Sequence, residues 1–69
     1  MKISARNQLT GRVKAVTLGA VMAEVVVELS DGQELVSAIT RHSAEQMQLQ
    51  PGDQVTAIIK STEVMIGKD

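Results

Sequence analysis

The sequence contains no cysteine, no phenylalanine, tyrosine or tryptophan, one histidine and one proline. Without cysteine there is no disulfide framework and no thiolate metal site, and a single imidazole leaves no basis for most zinc sites. Without aromatic rings the core has to be built from Val, Ile, Leu, Met and Ala, the residues that make up the 43% apolar fraction. Such a core is thin for 69 residues, because short chains bury a small share of their surface. Small domains are otherwise supported by disulfides, metals or oligomerisation, and this composition leaves oligomerisation.

Charge of one sign is also lacking. Seven basic and eight acidic residues give a net charge of −1, so no overall field draws nucleic acid or an anionic membrane, and any anion site must be local. No window approaches the roughly 18 continuous apolar residues of a membrane span. The opening Met1-Lys2-Ile3-Ser4-Ala5-Arg6 lacks the apolar run of a secretory signal. These features predict one cytoplasmic domain over residues 1–69.

The pattern that is present is β. From Gln8 to Thr17, Leu9, Gly11, Val13 and Ala15 alternate with Thr10, Arg12, Lys14 and Val16, which predicts a half-buried strand. Ala20 to Ser30 is the clearest strand, with Ala23, Val25, Val27 and Leu29 on one face and Glu24, Val26 and Glu28 on the other. Asp31-Gly32 predicts a tight hairpin of primed type. Gln33 to Thr40 returns as a strand whose two faces are both apolar or small, as expected when both are covered. Ser43-Ala44-Glu45-Gln46 fits a capping box opening a short helix to Leu49, ended by Pro51-Gly52-Asp53. Gln54 to Lys60 and Ser61 to Ile66 complete the chain as strands. The order β-β-β-α-β-β predicts an all-β fold, a small OB-like Greek-key barrel with one short helix.

Catalysis has no foothold in this sequence. His42 stands among polar residues at the helix start and reads as solvent-facing, and Glu24 and Glu28 read as surface or interface charges, so no catalytic residue is assigned. Single-strand nucleic-acid binding by an OB-like barrel relies on a basic groove and stacking aromatics, both missing here. Donors are better represented. Ser4-Ala5-Arg6, Thr40-Arg41-His42-Ser43 and Lys60-Ser61 each combine hydroxyls with a cation, the set that holds a tetrahedral oxyanion. On the residues alone, two readings stand: an oxyanion binder, or an oligomeric structural or regulatory module without a small ligand.

Three stretches narrow the choice. Ile3-Ser4-Ala5-Arg6-Asn7-Gln8-Leu9, Gly19-Ala20-Val21-Met22-Ala23-Glu24-Val25 and Thr56-Ala57-Ile58-Ile59-Lys60-Ser61-Thr62-Glu63-Val64-Met65-Ile66 closely resemble the molbindins, the small Mop-type molybdate-binding proteins. The resemblance covers essentially the whole chain. It implies an OB-like fold assembled as a homohexamer, a trimer of dimers, with molybdate or tungstate held at subunit interfaces for intracellular molybdenum storage or homeostasis. It further implies that Ser4, Ala5, Arg6, Thr40, Ser43, Lys60 and Ser61 bind the oxyanion through hydrogen bonds. No protein atom then ligates the metal directly, and no organic cofactor, nucleic acid, membrane or catalysis is involved. Arg6 and Lys60 would offset the dianion charge, and the hydroxyls and backbone N–H groups would donate.

Overall fold

Each of the four long β patterns forms a strand, and they join into one antiparallel sheet. In the computed structural model the strands are β1 (Asn7–Leu18), β2 (Met22–Leu29), β3 (Glu34–Thr40) and β4 (Gln54–Ile59), with helix α1 (Arg41–Gln46) between β3 and β4. The spatial order is β3-β2-β1-β4. Three consecutive hairpin-linked strands followed by a fourth returning beside the first is the Greek key, so the predicted class holds, and with it the arrangement of these four strands. The sheet curls into a half-barrel whose outer edges, β3 and β4, are not hydrogen-bonded to each other.

The concave face carries the core. Val13, Ala23, Val25, Val27 and Ala44 are the only buried residues, with Val16, Leu35, Ile39, Leu49 and Val55 packed against the central valines. Strict alternation along β1 fails at one point. Val13 faces Val27 but Ala15 faces Val26, so Lys14 is an extra residue in a β-bulge. The bulge reverses the phase, which turns Val16 inward and leaves Ala15 exposed. Lys14 pairs at the surface with Glu34, a contact that raises the lysine pKa. The turn after α1 grips the same point, with Gly52 N–H donating to Val13 C=O and Val13 N–H donating to Asp53 C=O, both at 2.8 Å.

Other expectations change in detail. The β2–β3 hairpin has a three-residue loop, Ser30–Gly32. Gly32 N–H donates to Leu29 C=O, and only Gly32, at φ 89°, is left-handed. That is a type I turn followed by a glycine, not a primed two-residue turn. β3 is an edge strand with Val36, Ser37 and Ala38 exposed, so within one chain only one of its faces is covered. The helix cap lies three residues before the expected one, Ser43. Thr40, extended at φ −69°, ψ 147°, is the N-cap, and its hydroxyl accepts the Ser43 N–H at 3.1 Å. The helix also ends before Pro51. Gln48 turns left-handed at φ 53°, and Gln48 and Leu49 N–H groups donate to Glu45 and Ala44 carbonyls, a Schellman motif. The fifth strand is absent. Ser61–Glu63 forms a 3-10 turn, and Val64 onward is unpaired because no strand of the same chain lies beside it.

Asp31 makes the hairpin pH-sensitive. Its carboxylate accepts the Gln33 backbone N–H at 3.0 Å and the Gln33 side-chain amide at 2.7 Å, and these bonds, the backbone one foremost, lower its pKa. A carboxyl with a depressed folded-state pKa stabilises above its unfolded pKa, and that stabilisation is lost as pH falls through the folded value. The hairpin is therefore expected to loosen on acidification below the ordinary aspartate range. Following the Gln33 amide resonance against pH checks this, since Asp31→Ala should abolish its titration.

Candidate functional site

The antiparallel pairing of β1 with β4 brings together the first and last donor groups of the sequence. Asn7 lies opposite Ile59, so the residues just before Asn7 and just after Ile59, Arg6 and Lys60, emerge at the same end of the sheet. The junction is tied by the Asn7 side-chain amide, which donates to the Ser61 Oγ at 3.5 Å. Ala5 is half-buried and its carbonyl accepts the Gln8 side-chain amide at 2.6 Å, shaping the bend at Ser4. Ser4, Arg6, Lys60 and Ser61 are exposed, and neither Arg6 nor Lys60 takes part in an ion pair. Two uncompensated cations and two hydroxyls thus share one sheet end. Asn7 was not among the expected site residues, although it is part of the Ser4-Ala5-Arg6-Asn7 opening that should have suggested it.

Thr40 and Ser43 form the second group. Thr40 pairs with Met22 on β2, beyond the Leu18–Ala23 pair that closes β1 at its far end. The Thr40 hydroxyl donates to the Ser43 Oγ at 2.8 Å while accepting the Ser43 N–H. The Thr40 hydroxyl hydrogen is thereby used, and the Ser43 hydroxyl hydrogen remains to donate outward. Thr40 borders an open hollow between the β1–β2 turn and α1, lined also by Ala20, Val21, Arg41, His42 and Glu45. Arg41 is less available than its sequence position implies, because it pairs with Glu45 at 3.1 Å and donates to the Gly19 carbonyl at 3.2 Å. His42 is exposed, as its polar surroundings predict.

The expected site residues therefore fall into two groups that one chain keeps apart. They sit at opposite ends of the 12-residue β1, whose straight length of roughly 36 Å at 3.3 Å per residue is far beyond the reach of one oxyanion. Each group is incomplete: one holds the charge, the other a prearranged hydroxyl pair.

A Greek-key half-barrel with one short helix, its candidate donors gathered at the two ends of β1, is the class of domain that the fold defines. The chain belongs to the TOBE domain family, which it matches over residues 3–66. It is 52% identical over 66 residues to molybdenum-pterin-binding protein 3 of Clostridium pasteurianum, covering 96% of this chain and 97% of that relative. Among solved structures, a molybdate-binding protein from Sporomusa ovata superposes with a TM-score of 0.92 at 48% identity, covering 99% of this chain and all of the other. The cytoplasmic molybdate-binding protein ModG, in its molybdate-bound form, superposes with a TM-score of 0.84 at 43% identity over 88% of this chain and 43% of its own. The resemblance to the Mop-type molbindins read from the sequence is thus borne out over the whole domain. No helix is long and apolar enough to cross a membrane.

Proposed function

We propose that the protein binds molybdate, and tungstate, between copies of itself, and that it serves as a cytoplasmic store or buffer of molybdenum. The observation that carries this reading is the separation of the two donor groups along β1. Arg6 and Lys60 offer charge without enough enclosing donors, and the Thr40–Ser43 pair offers an oriented hydroxyl donor without charge. A second chain that sets its Thr40–Ser43 end against the first chain's Arg6–Lys60 end completes the coordination of a tetrahedral dianion. Ser4, Ser61 and the Ala5 N–H add donors. The small core supports the same conclusion, since five buried residues leave much apolar surface for association. A trimer of dimers is the assembly proposed, and a binding role accounts for the donor set without any catalytic step.

Selectivity follows from proton count. Molybdate is fully deprotonated near neutral pH, whereas phosphate keeps a proton that needs an acceptor, so a site of donors alone favours molybdate. Titration calorimetry with molybdate, tungstate, sulfate and phosphate is expected to show tight binding of the first two and weak binding of phosphate. Sedimentation is expected to show a multimer. A folded monomer, or a folded protein giving neither heat nor thermal stabilisation with molybdate, would support the structural-module reading instead.

A further inference from the structure

Arg41 stands between the two hydroxyl residues of the second donor group, and from its place in the sequence its cation reads as one more partner for an anion. The side chain is engaged elsewhere. Its guanidinium donates through Nε to Glu45 Oε1 at 3.1 Å and through Nη1 to the Gly19 carbonyl at 3.2 Å, while the Arg41 backbone N–H donates to the Val21 carbonyl at 2.8 Å. The turn that receives these bonds is itself closed. Gly19 N–H donates to Met22 C=O at 2.7 Å, and a Cβ at Gly19 would lie 2.9 Å from that same oxygen. Arg41 therefore ties the first turn of α1 to the carbonyls of Gly19 and Val21, and Glu45, one helical turn on, steers the guanidinium and neutralises it.

The donor pair sits on another side of the same six-residue helix. Residues four apart on a helix are neighbours and residues two apart are not, so Arg41 and Glu45 share a side that Ser43 does not. The Thr40 and Ser43 hydroxyls bond to each other and to the Ser43 N–H, and to no other group of the chain. A helix this short gains little from its own ladder, so the direction of that pair depends on what holds the helix: buried Ala44 beneath it and the Arg41 bonds at its start. Donors fixed before a ligand arrives lose less freedom when it binds. We infer that Arg41 is a positioning residue for the oxyanion site. It does not touch the anion, and it acts through the Gly19–Met22 turn, which it locks against α1 so that the Thr40–Ser43 pair keeps one orientation in the free protein.

This inference rests on the molybdate reading of the Thr40–Ser43 pair, and calorimetry on the wild-type chain separates the two. A wild type that gives no molybdate binding overturns both; the outcomes below overturn the inference alone. Arg41→Ala is expected to weaken molybdate binding roughly threefold to tenfold, the net worth of a hydrogen bond expressed as affinity. Arg41→Lys keeps the charge but not the planar fork, and is expected to lose nearly as much. The loss should persist at raised ionic strength, because a charge acting on the anion through solvent is screened by salt and a hydrogen-bonded brace is not. Recovery of affinity by lysine, or a loss that disappears with salt, would mean that Arg41 acts by charge or by direct contact, and overturns the inference. Amide hydrogen exchange on the ligand-free variants gives a signature that needs no ligand. The Ser43 N–H, held by the Thr40 hydroxyl, is expected to exchange faster in Arg41→Ala while the central amides of β2 keep their wild-type rates. Unchanged exchange at Ser43, or equal acceleration throughout the sheet, leaves Arg41 no positioning role.

Discussion

Arg6→Ala or Lys60→Ala is expected to weaken molybdate binding by about 1.5 to 3 kcal/mol each, the scale of a lost charged hydrogen bond and roughly 10- to 150-fold in affinity. Neither side chain has an intramolecular ion pair, so the free protein loses little, and the effect should fall on binding and not on folding. His42→Ala, by contrast, removes an exposed ring that no hydrogen bond positions, and should change affinity far less. Titration calorimetry beside thermal unfolding separates the cases. A larger loss for His42→Ala than for Arg6→Ala would mean that the residue assignment is wrong even if molybdate binds. Ser43→Ala is the informative companion. It removes the one hydroxyl hydrogen at the helix start that remains free, but leaves the Thr40 cap accepting the residue 43 N–H.

The largest effect on folding is expected at Gly11, in the middle of β1 between β2 and β4. A Cβ added there would lie 2.6 Å from Val27 Cγ1, 2.7 Å from the Glu28 carbonyl oxygen and 3.3 Å from Leu29. The valine is a core residue, and the carbonyl belongs to the adjoining strand, so neither can move without disturbing the ladder. Gly11→Ala is expected to destabilise the fold by about 1 to 3 kcal/mol, the usual cost of overpacking. Gly67→Ala, with nothing within 4 Å, should be neutral by the same thermal or chemical denaturation. Equal midpoints for the two variants would contradict the close approach of β1 to β2.

Much of this architecture was legible because it is local. Alternation of Ala23, Val25 and Val27 with Glu24, Val26 and Glu28 identifies a one-sided strand, and all three small apolar residues are buried. The turn at Gly32 and the short helix after Thr40 follow from residue types with narrow conformational preferences. Errors appeared where a local pattern had two solutions. Both Thr40 and Ser43 can cap a helix, and the choice fell to Thr40 because Arg41 N–H is bound to the Val21 carbonyl across the β1–β2 turn, starting the helix directly after β3. Likewise, the β-bulge at Lys14 shows in the alternation only as Val16 falling among the polar positions, which a lone exposed valine would explain equally well. It is tied to the Gly52–Asp53 turn, some forty residues downstream, which grips Val13.

The composition by itself dictated a thin aliphatic core with no disulfide or thiolate support, and the donor types alone pointed to an oxyanion. Period-two patterning settled the class, because side-chain alternation is a property of each strand taken singly. Only the tertiary structure decided the grouping of donors. Strand pairing and register place Arg6 beside Lys60 and set Thr40 and Ser43 at the far end of β1, and those are long-range relations that no local spacing contains. It also decided that Val64–Ile66 is not a strand within its own chain, since a strand exists only where another edge is there to receive it.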